Sequence, residues 1–170
     1  MTKNNAEIEL IDKLLFQKCK IELSNVAQET ESQEYFAHHF QLNARKVKFR
    51  VAKITPTKTG QFVSIWKRNQ DGITVPFDVS DDFDAYIIAV RKENNFGLFI
   101  FSKAILHQKG IISDKINDGK RGIRVYPPWD TTTNNQAQKT QDWQTKYFLN
   151  LSEDYFLELH KVHELLDFNL

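Results

Sequence analysis

The stretch RKVKFRVAKITPTKTGQFVSIWKR, residues 45–68, decides how this chain folds. Its first half alternates. Lys46, Lys48 and Arg50 fall on one face of an extended backbone and Val47, Phe49 and Val51 on the other, the period of two that a half-buried strand requires. Pro56 fixes φ and Gly60 permits a positive φ, so the segment between residues 55 and 60 reads as a turn joining strands at 46–54 and 61–68. The same stretch carries eight of the 23 Lys and Arg residues and no acid. The remainder holds 15 basic residues against 22 acids, in a chain whose net charge is +1. Such a concentration of positive charge attracts phosphates or another anionic partner. Lys53 breaks the alternation by falling on the apolar side. The pattern therefore predicts a bulge at Ala52, or a lysine at the end of the core face that snorkels outward.

Working outward, residues 35–42 form a hairpin with 46–54 about Asn43-Ala44. Residues 83–91 and 97–103 form a second hairpin across Glu93-Asn94-Asn95. The segments 61–68, 83–91 and 97–103 are apolar on both alternating faces, which marks central strands covered on both sides. Ile8, Ile11, Leu14 and Leu15 recur at helical spacing within 7–20. Residues 69–82 read as a polar loop, 104–112 as a short helix and 114–121 as a charged loop. A strand at 123–126 is stopped by Pro127-Pro128, and a helix follows over 135–150. Ser152 caps a last helix with Glu153 and Asp154 in its first turn. Tyr155, Leu159, Val162 and Leu166 form its apolar stripe. The sum is a single α+β domain. Its sheet is mainly antiparallel and partly mixed, with five to six strands flanked by N- and C-terminal helices.

With 170 residues, 41% of them hydrophobic and 13 of them Phe, the chain is long and apolar enough for a real core. Cys19 is the sole cysteine, which excludes an internal disulfide and a cysteine-cluster zinc site and reads as a buried, inert thiol. No apolar run approaches a bilayer span, and the N-terminus does not read as a secretory signal. The expectation is a cytoplasmic protein with no membrane partner.

Taken as a simple meander, the strands collect Lys46, Lys67, Arg68, Asp82, Asp84 and Lys103 at one sheet edge. Lysines mixed with carboxylates suit phosphoryl chemistry. The opposite edge collects Lys53, Lys58, Arg91 and Lys92, a purely basic set that suits holding phosphates. In Gly119-Lys120-Arg121-Gly122-Ile123-Arg124, flexible glycines and three cations offer phosphate contacts without the spacing of a nucleotide-binding P-loop. Gln138, Lys139, Gln141, Asp142, Gln144 and Lys146 form an exposed polar helix face. Trp129, held by the two prolines, is a candidate stacking ring, whereas Phe62 and Trp66 read as core. His160 and His163 have zinc spacing but no third ligand pattern, and no metal site is assigned.

The words RVAKITPTKTGQFVSIWKR, DDFDAYIIAVRK, FGLFIFSK, KGIIS, GKRGIRVYPPWD and QAQKTQDWQ together resemble the MepB family over about residues 35–150. These are small bacterial proteins, some encoded beside a multidrug efflux pump and its regulator. The resemblance implies a restriction-endonuclease-like fold and nucleic-acid binding. Nucleases of that type place an acid on one strand and an acid-x-lysine on the next, around a divalent ion. Asp84 and Lys103 match two of those roles. The third position is Phe101, which cannot ligate a metal, and Glu22 or Glu34 would replace it only by reaching in from elsewhere. The expectation is a non-enzymatic nucleic-acid-binding protein without a cofactor. Its partner would be duplex DNA at low sequence specificity, held by Lys46, Lys53, Lys58, Lys67 and Arg68 together with Lys120, Arg121 and Arg124. Two alternatives stay open. One is a Mg- or Mn-dependent nuclease, or another phosphoryl-cleaving enzyme, at Asp84 and Lys103. The other is a small-molecule-binding accessory of a multidrug-resistance operon.

Overall fold

The computed structural model describes residues 5–152 and 157–167. Its strands are β1 (Leu23–Gln28), β2 (His38–Leu42), β3 (Arg45–Val51), β4 (Lys53–Thr55), β5 (Lys58–Ser64), β6 (Trp66–Arg68), β7 (Thr74–Pro76), β8 (Ala85–Lys92), β9 (Asn95–Ser102), β10 (Gly122–Val125) and β11 (Phe148–Asn150). Its α-helices are α1 (Ala6–Ile11), α2 (Lys103–Gln108), α3 (Asn135–Gln144) and α4 (Leu159–Leu166). The fold is α+β. A six-stranded sheet runs β1-β2-β3-β8-β9-β11, a three-stranded sheet runs β10-β5-β4, and β6 and β7 form a separate hairpin.

The sheet is not a simple meander. The alternating stretch from Lys46 stops at Val51 and re-enters the three-stranded sheet at Lys53, so the irregularity expected at Ala52 is a change of sheet. β5 leaves with it, and β8 takes the vacated place beside β3, parallel to it and in register from Val47↔Ala85 to Val51↔Ala89. The remaining ladders of the large sheet are antiparallel. β8 is buried from Ala85 to Val90 and β9 from Phe96 to Phe101, as continuous apolar runs on central strands require.

One face of the sheet carries Val47, Phe49, Ile87 and Leu98, packed under Ile8, Ile11 and Phe16 from the N-terminal helical segment and Val162 and Leu166 from α4. Both terminal helices therefore cover the same face. The other face carries Tyr86, Ile88, Phe99 and Phe101 and is closed by Val63 and Val125 of the second sheet and Leu106 of α2. A helix over 135–150 is not observed. α3 ends at Gln144, a 3₁₀ turn follows, and Phe148–Asn150 becomes the sixth strand, paired with β9. Gln141 and Gln144 are buried rather than exposed. Gln141 donates to Pro127 O and Asp130 O, both at 2.9 Å, and Gln144 donates to Arg124 O and accepts from Tyr126 N. These bonds satisfy the buried amides. Ser152 does not cap α4. Its hydroxyl instead accepts from Phe96 N at 3.0 Å, and α4 begins after Glu158. The expected first-turn acids Glu153 and Asp154, and Tyr155, lie outside the described residues. Among the described residues, no helix is long and apolar enough to cross a membrane.

Candidate functional site

The edge expected to mix lysines with carboxylates does form, because a parallel β3–β8 pair brings both strand starts to the same end as the finish of β9. Asp84 stands just before β8. Its Oδ2 accepts from Lys46 N at 2.8 Å and its carbonyl accepts from Lys103 N at 2.9 Å. Lys103 sends its ammonium to the Asp81 carbonyl, with the ring centroid of Phe83 5.0 Å away. The carboxylate and the ammonium are thus both engaged by backbone. Lys46 pairs with Asp82, and Lys67 pairs with Asp81 at 2.5 Å. The Lys46 ammonium holds the Asp82 carboxyl below its ordinary range, and Asp82 in turn raises Lys46. Arg68 leaves this edge. It lies 5.2 Å from the Trp66 ring centroid and donates to Gly72 O.

Phe101 is fully buried, 5.6 Å from Phe99 and 5.3 Å from Trp143 between ring centroids. The position that a nuclease would give to its second acid is therefore core. Glu22 and Glu34 bring no carboxylate to it. Glu22 lies on the approach to β1, where its amide donates to Asn43 Oδ1, and Glu34 is exposed in the 3₁₀ turn before β2. Among the described residues, no group of three His, Cys, Asp or Glu is placed to hold a metal ion. These residues do not fit the divalent-ion centre of a restriction-type nuclease.

Beside this edge lie two adjoining hollows of about 370 and 520 Å³ that share His39, Lys48, Asp82 and Phe83. The larger one is lined by an acid that the sequence reading missed. Glu29, just past β1, accepts from Lys48 Nζ at 2.6 Å and from Arg50 at 2.7 Å, with His39 Nδ1 3.4 Å away. Burial pushes the Glu29 carboxyl up, but Arg50 and Lys48 together outweigh it and hold the group below its ordinary value. Arg50 has no exposed surface and its guanidinium lies 5.3 Å from the Tyr86 ring centroid. Every lysine of this groove pairs with a carboxylate, Lys48 sharing Glu29 with Arg50, so the net field of the groove is weak.

The opposite edge is not purely basic. Arg91 pairs with Glu7 and Lys92 with Asp130. Lys53 lies 5.0 Å from the Tyr35 ring centroid, and Lys58 is exposed. Trp129 is half-buried with its ring edge-on to Phe148, so it is not presented for stacking.

A group of cations gathered in one hollow without an acid lies elsewhere. A cleft of about 440 Å³ opens between β10 and α3, lined by Lys109, Lys120 and Arg124 and by no carboxylate. Lys109 closes α2 ahead of Gly110, whose φ of +68 ends the helix in the usual left-handed manner. Its ammonium stands 5.3 Å from the Trp143 ring centroid. Arg124 alternates with buried Ile123 and Val125, and donates to Thr59 O at 3.1 Å and Thr55 Oγ1 at 2.6 Å. Arg121 turns away, to Thr74 O. The two glycines serve close packing rather than flexibility. A Cβ at Gly119 would come within 2.4 Å of Ile111 O, and one at Gly122 within 2.4 Å of Phe62 Cζ. Sequence reading found Lys120 and Arg124 but missed Lys109, because nothing local ties the end of α2 to β10.

The architecture is that of a small α+β protein with a mixed central sheet, a neutralised charged groove and an acid-free cleft. The family model described as MepB-like matches residues 29–150, and the chain belongs to that family. It is similar to a solved structure titled "Crystal Structure of MepB", at 32% identity and a TM-score of 0.77, over 92% of this chain and 100% of that one. No curated protein matches the sequence.

Proposed function

We propose that this protein binds nucleic acid through backbone phosphates and does not cleave it. The observation that carries the reading is the cleft in which Lys109, Lys120 and Arg124 converge without a carboxylate. Cations already paired with acids gain little from an incoming phosphate, because the partner must first be displaced. Unpaired cations release counterions on binding and supply the sequence-independent affinity of nucleic-acid contacts. The same argument moves the interface away from Lys46 and Lys67. A nuclease reading is disfavoured by Phe101 in the core and by the bond from Lys46 N to the Asp84 carboxylate.

Fluorescence anisotropy with labelled duplex DNA tests this. Affinity should fall steeply between 50 and 200 mM salt. The K109A/K120A/R124A variant should bind at least tenfold more weakly and show a shallower slope of log K against log salt, by about three. A K46A/K67A variant should bind as the unaltered protein does. An unchanged affinity in the first variant, with its thermal melting preserved, would overturn the reading.

A further inference from the structure

We infer that the cleft between β10 and α3 prefers the terminal phosphate of a nucleic-acid strand, a phosphate monoester, over the phosphodiesters along its length, which it holds more weakly. This deepens the nucleic-acid reading above and rests on it. Three properties of the cleft point to an end.

The first is charge density. A surface that tracks a strand spreads its cations along the backbone, matching one charge per phosphate. Here three cations line a single cleft with no acid among its walls. A monoester carries about −1.5 to −2 at neutral pH, against −1 for a diester, and so matches that concentration better.

The second is shape. About 440 Å³ is the size of a small-molecule pocket. It has room for one phosphate with part of its nucleoside, which the free end of a strand supplies more readily than a continuous backbone does.

The third is preorganisation. The Arg124 guanidinium is fixed by Thr55 and Thr59 before any ligand arrives, and two fixed bonds lower the entropy lost on binding. The rest of the lining is apolar at Ile111, Ile123 and Trp143 and carries two neutral amides near the start of α3. Asn134 spends its Oδ1 on Ala137 N at the start of α3 and keeps its NH₂ group, and Gln136 adds a second carboxamide. Thr140 donates to Gln136 O and takes no part. Donors without nearby acids suit the three oxygens of a monoester.

The test uses the full chain and one oligonucleotide sequence in four forms: 5′-phosphorylated, 3′-phosphorylated, unphosphorylated and covalently closed. At least one end-phosphorylated form should bind tenfold or more tightly than the unphosphorylated and closed forms. A nucleoside monophosphate should compete with it, and the matching nucleoside should not. Lys120→Ala should reduce the ratio of phosphorylated to unphosphorylated affinity towards one while leaving the melting temperature unchanged. Equal affinity for all four forms would overturn the end reading and leave the nucleic-acid reading standing. Failure of every form to bind would overturn both, as would retention of the free mononucleotide alone.

Discussion

Glu29 shows what one residue does in this molecule. Its carboxylate is shared between Lys48 and a fully buried Arg50, so removing it leaves a guanidinium uncompensated in the interior. Glu29→Ala is expected to cost about 3–5 kcal/mol, read as a shift in urea midpoint at constant m-value. Because the folded carboxyl titrates below its ordinary 4.5, this stabilisation is complete above that value and is lost as pH falls through the folded-state value. A Glu29→Gln variant should therefore lose less stability on acidification than the unaltered protein. The basic half of this cluster was legible, since Lys46, Lys48 and Arg50 alternate in plain view. The acid was not. Asn25 sits at φ +55 and the β1–β2 register slips between Ser24 and Ala27, so β1 shows no period of two and its end could not be aimed.

At the scale of elements, β11 illustrates how packing overrides local pattern. Residues 145–150 read as the continuation of the preceding helix, yet Phe148 and Leu149 enter opposite cores, one on each face of the sheet beside β9. That reward is tertiary and invisible to periodicity. Gly97 makes it available, because a Cβ there would meet Phe148 Cζ at 2.2 Å and Leu149 O at 2.7 Å. Gly97→Ala should destabilise the protein by about 1–3 kcal/mol through forced displacement of β11. Amide exchange at residues 148–150 should quicken more than exchange in β3. Equal exchange in both strands would show that β11 is not the element displaced. The β8–β9 hairpin, by contrast, was fully readable, since its turn residues and its two continuous apolar runs lie adjacent in sequence.

For the whole molecule, the two central parallel strands, β3 and β8, are separated in sequence by two strands of the second sheet, β4 and β5, and by the β6–β7 hairpin. The α+β class was legible from strand content, but of the six strands read from the sequence only those at 35–42, 46–54, 83–91 and 97–103 enter the large sheet, which β1 and β11 complete. The meander was not excluded by any local signal, because only pairing between distant segments distinguishes it from the observed order. Yet the charged edge survived the error. A strand removed from between two others leaves those two parallel, and their starts stay at one end. Under native conditions, hydrogen exchange should be slowest in β3, β8 and β9, which are paired on both sides, and fastest in the isolated β6–β7 hairpin. Protection of β6–β7 equal to that of β8 would contradict this arrangement.

The bond from Lys46 N to the Asp84 carboxylate spans 38 residues and fastens the point where the chain returns to its first sheet. Seen as a step in time, it is a closure. β2–β3 and β8–β9 can each form as local hairpins, but the central sheet cannot exist until their far-separated ends meet and the loop entropy between them is lost. The residue that resembles a catalytic acid is placed to make that meeting persist. Its carboxylate holds the starts of β3 and β8 together once they have met.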